Sequence, residues 1–157
     1  MKNQRLLLSA AILLLAAGGG FVFHDKSRGA GSACGTYRDD KTVQIGSHKL
    51  AAEAADTNSS RAQGLSGRPC IGSNQAMLFT FSQPGRYSFW MKDMRFPIDI
   101  IWISSVHEAV VVEENVLPST YPDSFVNPPG KPAQYVLELK AHASTVLNIN
   151  PGTPINF

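Results

Sequence analysis

The sequence predicts a mainly β fold, an antiparallel sandwich or flattened barrel of about seven strands with one or two short helices. Short runs rich in β-branched and aromatic residues recur along the chain, and Gly, Pro, Asn and Asp separate them. This spacing is typical of sandwiches and barrels. The helical segments are too few and too short to cover a parallel sheet. We therefore expect one β-rich domain over residues 43–157.

Each predicted element has a local signal. Leu50–Ala54 alternates polar and apolar residues, and AVVVEENV is rich in β-branched residues. Thr57 or Asn58 can cap a short helix that Gly64 would end. Five prolines make residues 117–133 a long loop, which is uncommon in a small domain and often functional. The remaining predictions are strands at 77–81, 87–92, 98–103 and 135–139, a short helix at 141–147 and an extended end at 153–157.

The N-terminus predicts export. Residues 6–23 carry no charge and follow Lys2 and Arg5, which fits a membrane anchor with its N-terminus in the cytoplasm. A cleaved signal peptide and lipidation at Cys34 are the alternatives. All three place the domain outside the cytoplasm, either tethered to the membrane through 6–23 or secreted, behind a flexible spacer at 24–42.

Charge and cysteine content limit the partners. From Cys34 onwards the formal charge is near −1, so no basic surface for nucleic acid is expected. Cys34 and Cys70 are the only cysteines, and in an oxidising compartment they favour one disulfide. Phosphate loops, nucleophile elbows and metal-spaced Cys/His clusters are absent from the sequence. We expect no cofactor, no metal site and a monomeric domain.

The stretch SFWMKDMRFPIDIIWI at residues 88–103 carries the main functional question. It contains both tryptophans, and charges interrupt its apolar run. Strand 98–103 is apolar on both faces, which predicts a strand covered on both sides. Asp99 must then lie near a strand end, be hydrogen-bonded or be paired. If 93–97 formed a simple hairpin loop, Lys92 and Asp99 would project from opposite faces.

Two interpretations of these polar residues remain open. In one, they lie at strand ends and tie loops to the sheet. In the other, they converge on a pocket mouth that binds or transforms a polar ligand. The candidate pocket residues are Trp90, Lys92, Asp99, Asn115 and Glu138.

Several segments together resemble the domain of unknown function 192 family over residues 43–157. The matching segments are AADTNSSRAQGLSGR, QAMLFTF, SFWMKDMRFPIDIIWI, VVVEENVLPST, PAQYVLELKAHAS and INPG. The resemblance implies a compact sandwich-like fold and no established activity, so no catalytic role carries over to the candidate residues. Asp93 stands where that family commonly has asparagine, and the Cys34–Cys70 pair looks like a local addition.

Three hypotheses follow. The first is a non-enzymatic β-domain that faces the cell envelope and binds a small polar ligand, a glycan or a protein. The second is an enzyme of unidentified class, such as a hydrolase, with a Lys92–Asp99 or Lys92–Glu138 centre. The third is a purely structural interaction domain, which would need an exposed apolar patch.

Overall fold

The computed structural model describes residues 34–157, and within them the chain is mainly β. The two α-helices are short, and a single 3-10 turn covers Pro118–Thr120. In chain order the elements are β1 Lys41–Ile45, β2 His48–Ala55, α1 Asn58–Gln63, β3 Gln75–Gly85, β4 Ser88–Trp90, β5 Ile98–Ile103, β6 Ala109–Val116, β7 Ser124–Val126, β8 Ala133–Lys140 and α2 Ala143–Val146.

Six strands form one open sheet in the order β1-β2-β3-β8-β5-β6, and β4 pairs with β7 in a second, small sheet. This arrangement confirms the mainly β, sandwich-like fold predicted from sequence. The large sheet is mixed, because β2 and β3 run parallel. A parallel pair needs a long crossover, and α1 with the loop after it supplies that crossover.

Apolar side chains cover both faces of the large sheet. On one face, Ile101 and Ile103 of β5 pack with Leu137, Leu139 and the C-terminal Ile155. On the opposite face, Ile98, Ile100 and Trp102 pack with Phe89 and Phe125 of the small sheet. All six residues of β5 are buried, as expected for a strand covered on both sides. We call these two surfaces the C-terminal face and the small-sheet face.

The connection from Trp90 to Ile98 is not a hairpin. β4 pairs with β7, whereas β5 pairs with β6 and β8. The chain therefore leaves the small sheet after Trp90 and enters the large sheet at Ile98. The same pairing gives the proline-rich segment 117–133 a structural role, because it contains β7.

Local signals placed α1 correctly. The Thr57 side chain accepts a hydrogen bond from the Ser60 backbone N–H, and the Ser60 hydroxyl bonds back to Thr57, which completes a capping box. Gly64 ends the helix with φ 48°, a left-handed conformation that favours glycine. The predicted short helix before Gly64 is thus confirmed, with Thr57 as its cap.

The disulfide between Cys34 and Cys70 is present, with a Cα–Cα distance of 4.7 Å. It fastens residues 34–40 to the domain, and the Tyr37 hydroxyl adds a hydrogen bond to the Cys70 carbonyl. The end of the predicted spacer is therefore attached, and β1 begins at Lys41 rather than Val43.

The predicted anchor at 6–23 and the first part of the spacer lie outside the described residues. Across residues 34–157, neither helix has the length and apolarity needed to span a membrane.

Candidate functional site

Asp99 lies on the C-terminal face and is fully buried. Its Oδ1 accepts hydrogen bonds from the backbone N–H groups of Asn115 at 2.8 Å and His142 at 2.9 Å. Its Oδ2 accepts from the Ser144 N–H at 2.8 Å and the Ser144 hydroxyl at 2.6 Å. Four donors thus surround this carboxylate, which joins the end of β6 and the start of α2 to the sheet.

This network explains the backbone around Asp99. Asn115 and His142 both adopt left-handed conformations, with φ 51° and 68°, and both direct their N–H groups at Asp99. The Glu114 carboxylate accepts a hydrogen bond from the Thr145 hydroxyl at 3.1 Å, which adds a second tie to α2. Asp99 therefore ties loops to the sheet, which agrees with the interpretation in which the polar residues have a structural role.

Glu53 is a second buried carboxyl, on the small-sheet face. Arg68 donates to its Oε1 and Oε2 at 2.7 and 2.8 Å, and the Arg38 backbone N–H donates at 3.0 Å. Burial raises the pKa of Glu53, but the hydrogen bonds from Arg68 and Arg38 and their positive charges outweigh burial, so the pKa is lowered. The Arg68 guanidinium in turn lies over the Tyr37 ring, 4.5 Å from its centroid.

Glu138 is the third buried carboxyl, and it differs from the other two. It lies on the small-sheet face beside Met77, which separates it from Glu53 across β3. Neither hydrogen bond nor ion pair reaches its carboxyl group from any residue of 34–157, and its Oε2 is closed off from solvent. Burial raises the pKa of Glu138 to about 8, although Arg68 lowers it somewhat. The side chain is therefore mostly protonated and neutral at pH 7.

Glu138 contributes to a cleft between the sheet, the α1 segment and β4. The cleft has a volume of about 240 Å³, and its lining includes Arg61, Ser66, Phe81, Tyr87 and Trp90. That volume is just below the roughly 300–1,000 Å³ of typical small-molecule sites. Aromatic and other apolar side chains form most of the wall, and Glu138 adds one buried carboxyl, which is a composition expected of a site for a small ligand.

Aromatic packing positions the cleft wall. The Phe89 ring meets the rings of Phe79 and Trp102 edge to face, with centroids 4.8 and 5.9 Å apart. The Phe81 and Tyr87 rings stack. Trp90, by contrast, leaves 57 % of its surface exposed, so its ring is free to contact a ligand.

Hydrogen bonds hold the rim of the cleft. The Ser66 hydroxyl donates to the Lys92 carbonyl at 2.8 Å, and the Gly67 N–H donates to the Asp93 carbonyl at 2.9 Å. The buried Asn127 accepts from the Tyr87 N–H at 2.8 Å and donates to the Gly85 carbonyl at 2.9 Å. These bonds join segments far apart in the chain, which indicates that the cleft is preformed.

Lys92 lies outside this cleft, in an adjoining outer hollow. The outer hollow has a volume of about 770 Å³ and also contains Asp93 and Arg95, and it shares Trp90 and Met94 with the cleft. Lys92 is exposed, and among residues 34–157 its amine forms no ion pair with any carboxylate.

The five candidate residues thus divide into two groups. Trp90 and Glu138 line the cleft, and Lys92 lies next to it. Asp99 and Asn115 meet each other on the opposite face of the sheet. The structure does not bring the five residues to one pocket mouth, because successive residues of a strand point to opposite faces and Asp99 lines up with Leu139 rather than Glu138.

Sequence reasoning missed several residues around the cleft and the buried carboxyls. Arg61 and Ser66 were assigned only to a helix and a loop, and Tyr87 only to a strand. Glu53 was placed on the polar side of an alternating strand, yet it is 2 % exposed because the loop after α1 covers it. An acidic residue in an alanine-rich run was the available signal.

Residues 41–157 match the model of the DUF192 family, described as an uncharacterized ACR. The chain therefore belongs to this family. No curated protein matches it significantly. In the residues described, no cluster of three or more His, Cys, Asp or Glu side chains could hold a metal ion.

Two solved structures are similar to this chain. One is a protein of unknown function from Novosphingobium aromaticivorans, with 28 % identity, a TM-score of 0.66 and coverage of 74 % of this chain and 84 % of that one. The other is a candidate transcription regulator from Sinorhizobium meliloti, with 29 % identity, a TM-score of 0.68 and coverage of 78 % and 97 %.

Proposed function

We propose that this member of the DUF192 family is a non-enzymatic binding domain that takes a small ligand into the cleft between α1 and β4. The observation that carries this proposal is Glu138, a buried carboxyl with no partner among residues 34–157, in an aromatic-lined opening. Buried polar groups in folded proteins nearly always have partners. A ligand that bonds to Glu138 would satisfy this group.

The cleft suits a ligand with two chemically different parts. The exposed Trp90 ring offers a flat apolar surface for a ring or an alkyl stem. Glu138 offers a hydrogen-bonding group at depth. A molecule of a few heavy atoms, or the end of a larger one reaching in from the outer hollow, would fill about 240 Å³.

The enzyme alternative has less support. It requires Lys92 to act together with Asp99 or Glu138. The amine of Lys92 pairs with neither, and four donors already occupy Asp99. Lys92 and a carboxylate would therefore have to move towards each other before they could form a catalytic centre.

We also propose that the domain works outside the cytoplasm, tethered through residues 6–23 or released after cleavage. The Cys34–Cys70 disulfide supports this location, because such bonds persist mainly in oxidising compartments. Protease added to cells whose outer layers have been removed should digest a tethered domain, and a domain that is fully protected and also absent from the released fraction would contradict the proposal.

The test of the binding function uses Trp90 as a reporter. Trp102 is fully buried, so a ligand that enters the cleft should change mainly the fluorescence of Trp90. We expect members of a fragment set with a ring and a hydroxyl, amide, amine or carboxylate group to give saturable changes and to raise the melting temperature of the full-length protein.

Trp90→Phe should remove the fluorescence response. The matched control is Val106→Ala, which changes an exposed apolar residue outside the cleft and should leave binding unchanged. If no fragment gives a saturable response, or if Lys92→Met and Asp99→Asn abolish binding without unfolding while Trp90→Phe does not, the proposed site is wrong.

A further inference from the structure

The small-sheet face buries two glutamates in matching positions. Glu53 and Glu138 are both aligned with Met77, one from each neighbouring strand. Glu53 has a complete set of partners: the Arg68 cation binds both of its oxygens, and the Tyr37 ring lies over that cation. This arrangement of carboxylate, cation and ring stabilises a buried negative charge.

Glu138 has part of the same arrangement. Aromatic rings, among them Trp90 and Tyr87, line the cleft beside it. Within residues 34–157 no cation forms an ion pair with it, because Arg68 is committed to Glu53. What Glu138 lacks is an ion-pair partner of its own.

We propose that the cleft recognises an organic cation, an alkylammonium or a guanidinium group on an apolar stem, whose charge takes the place beside Glu138 that Arg68 takes beside Glu53. This inference rests on the proposed binding function and names its ligand class. The cation would contact the Glu138 carboxylate, and its stem would lie along the Trp90 ring.

Binding of such a ligand replaces the proton on Glu138 with the positive charge of the ligand. Before binding, Glu138 is mostly protonated at pH 7 because its pKa is about 8. On binding, the proton leaves Glu138 for the solvent and the ligand enters with its own charge, so the net charge of the cleft stays constant. Because no net charge enters the buried site, the desolvation cost of an unpaired buried ion is avoided.

Four other ionisable groups, Arg61, Arg68, Tyr37 and Tyr87, face Glu138 or its cleft, and none forms an ion pair with it. Arg61 lines the cleft with its guanidinium 5.2 Å from the centroid of the Phe81 ring, and this group is already bonded to the Asp56 and Thr80 carbonyls and to the Asn58 side chain. Arg68 lies close enough to lower the pKa of Glu138. Tyr87 stacks on Phe81.

The test compares benzylamine, which is an ammonium at pH 7, with benzyl alcohol, a neutral molecule of almost the same shape. Calorimetric titration of the full-length protein should show benzylamine binding at least about tenfold more tightly. In two buffers of different ionisation enthalpy, the heats should differ by the amount expected for nearly one proton released per benzylamine bound. Benzyl alcohol should release none.

Glu138→Gln keeps the side-chain shape and removes the charge. In this variant benzylamine should lose its advantage over benzyl alcohol, and its binding heat should become independent of the buffer. Glu108→Gln, at an exposed position, is the matched control and should behave as the wild type. If Glu138→Gln does not fold, the proton-release measurement on the wild type still tests the proposal.

The outcomes separate the two proposals. Equal binding of the two compounds with no buffer dependence would overturn the cation inference and leave the binding function intact. Absence of binding by both, together with a silent fragment screen, would overturn both proposals. Nα-acetyl-lysine methylamide then identifies the source of the cation: tighter binding than benzylamine indicates a peptide side chain, and weaker binding indicates a free amine.

Discussion

The two faces of the large sheet both bury carboxyl groups, and they stabilise them by different means. On the C-terminal face, Asp99 receives four hydrogen bonds from the chain segments around it. On the small-sheet face, Glu53 is paired with Arg68, while Glu138 has neither a donor nor an ion-pair partner within residues 34–157. All three residues are almost completely buried: Asp99 is 0 % exposed, Glu53 2 % and Glu138 5 %.

The difference teaches that burial by itself does not identify a functional carboxyl. Asp99 is the most deeply buried of the three, and its donors account for it as a structural anchor. Glu138 is the only one whose oxygens lack protein partners in the described part of the chain. A missing partner, rather than burial, is what distinguishes Glu138 from Asp99 and Glu53, and it is what supports the binding role proposed for Glu138.

The largest expected effect is at Asp99. Replacement by alanine leaves the N–H groups of Asn115, His142 and Ser144 without their acceptor, and hydrogen bonds to a charged group contribute about 1.5–3 kcal/mol each. We expect Asp99→Ala to lower the free energy of unfolding by about 4 kcal/mol in denaturant titrations. Asp123→Ala, at an exposed position, should change it little, and an equally small effect at Asp99 would contradict the anchor role.

The second-largest loss of stability is expected on substitution of Glu53. Glu53→Gln removes the negative charge from a mostly buried ion pair and leaves Arg68 uncompensated. Breaking such pairs costs about 3–5 kcal/mol, and because Arg68 keeps 24 % of its side chain exposed, we expect about 3 kcal/mol. The free energy of unfolding at pH 7 tests this, with Glu108→Gln as the control. Since the pKa of Glu53 is lowered, the stability it contributes is lost as the pH falls through its folded-state pKa.

Glu138 should make the free energy of unfolding depend on pH in the opposite direction. Its pKa rises from 4.5 in the unfolded chain to about 8 in the folded one. Between these values the folded protein holds a proton that the unfolded chain has lost, so the free energy of unfolding falls by up to about 1.4 kcal/mol per pH unit as the pH rises.

Glu138→Gln removes this dependence. Relative to the variant, the wild type should lose about 2–3 kcal/mol between pH 5 and pH 7. Parallel stability curves for the two proteins would mean that Glu138 has a partner in solution, and the contrast with Glu53 would disappear.

Trp90 should show the smallest effect on stability. Because more than half of its surface is exposed, Trp90→Ala should change the free energy of unfolding by less than about 0.5 kcal/mol. The same substitution should weaken ligand binding in the cleft. A large loss of stability instead would show that the ring is part of the core.

Much of the fold was predictable from short stretches. The alternation in β2 and the β-branched run in β6 indicated strands because their period matches the two faces of a sheet. Thr57 and Gly64 indicated the ends of α1 through their capping chemistry. The disulfide was expected from two cysteines in a segment predicted to be exported, and the structure confirms the pair.

The candidate site was only partly predictable. The sequence indicates Glu138 because this acid interrupts an apolar strand and Trp90 because it belongs to the stretch 88–103, and both line the cleft. Asp99 gave the same sequence signal and lies on the opposite face. Strand pairing separates them, since β4 pairs with β7 and β5 with β8, and no local pattern specifies a partner that is distant in sequence.

The sequence by itself determined the mainly β class and the capped helix, because these depend on periodicity and on chemistry within a few residues. Only the tertiary structure decided which acid has partners. Asp99 accepts hydrogen bonds from N–H groups of β6 and α2, and Glu53 forms an ion pair with Arg68. Glu138 has no such partner within residues 34–157. The charge of a buried carboxyl depends on groups brought together from far apart in the chain, so its role becomes visible only in the folded protein.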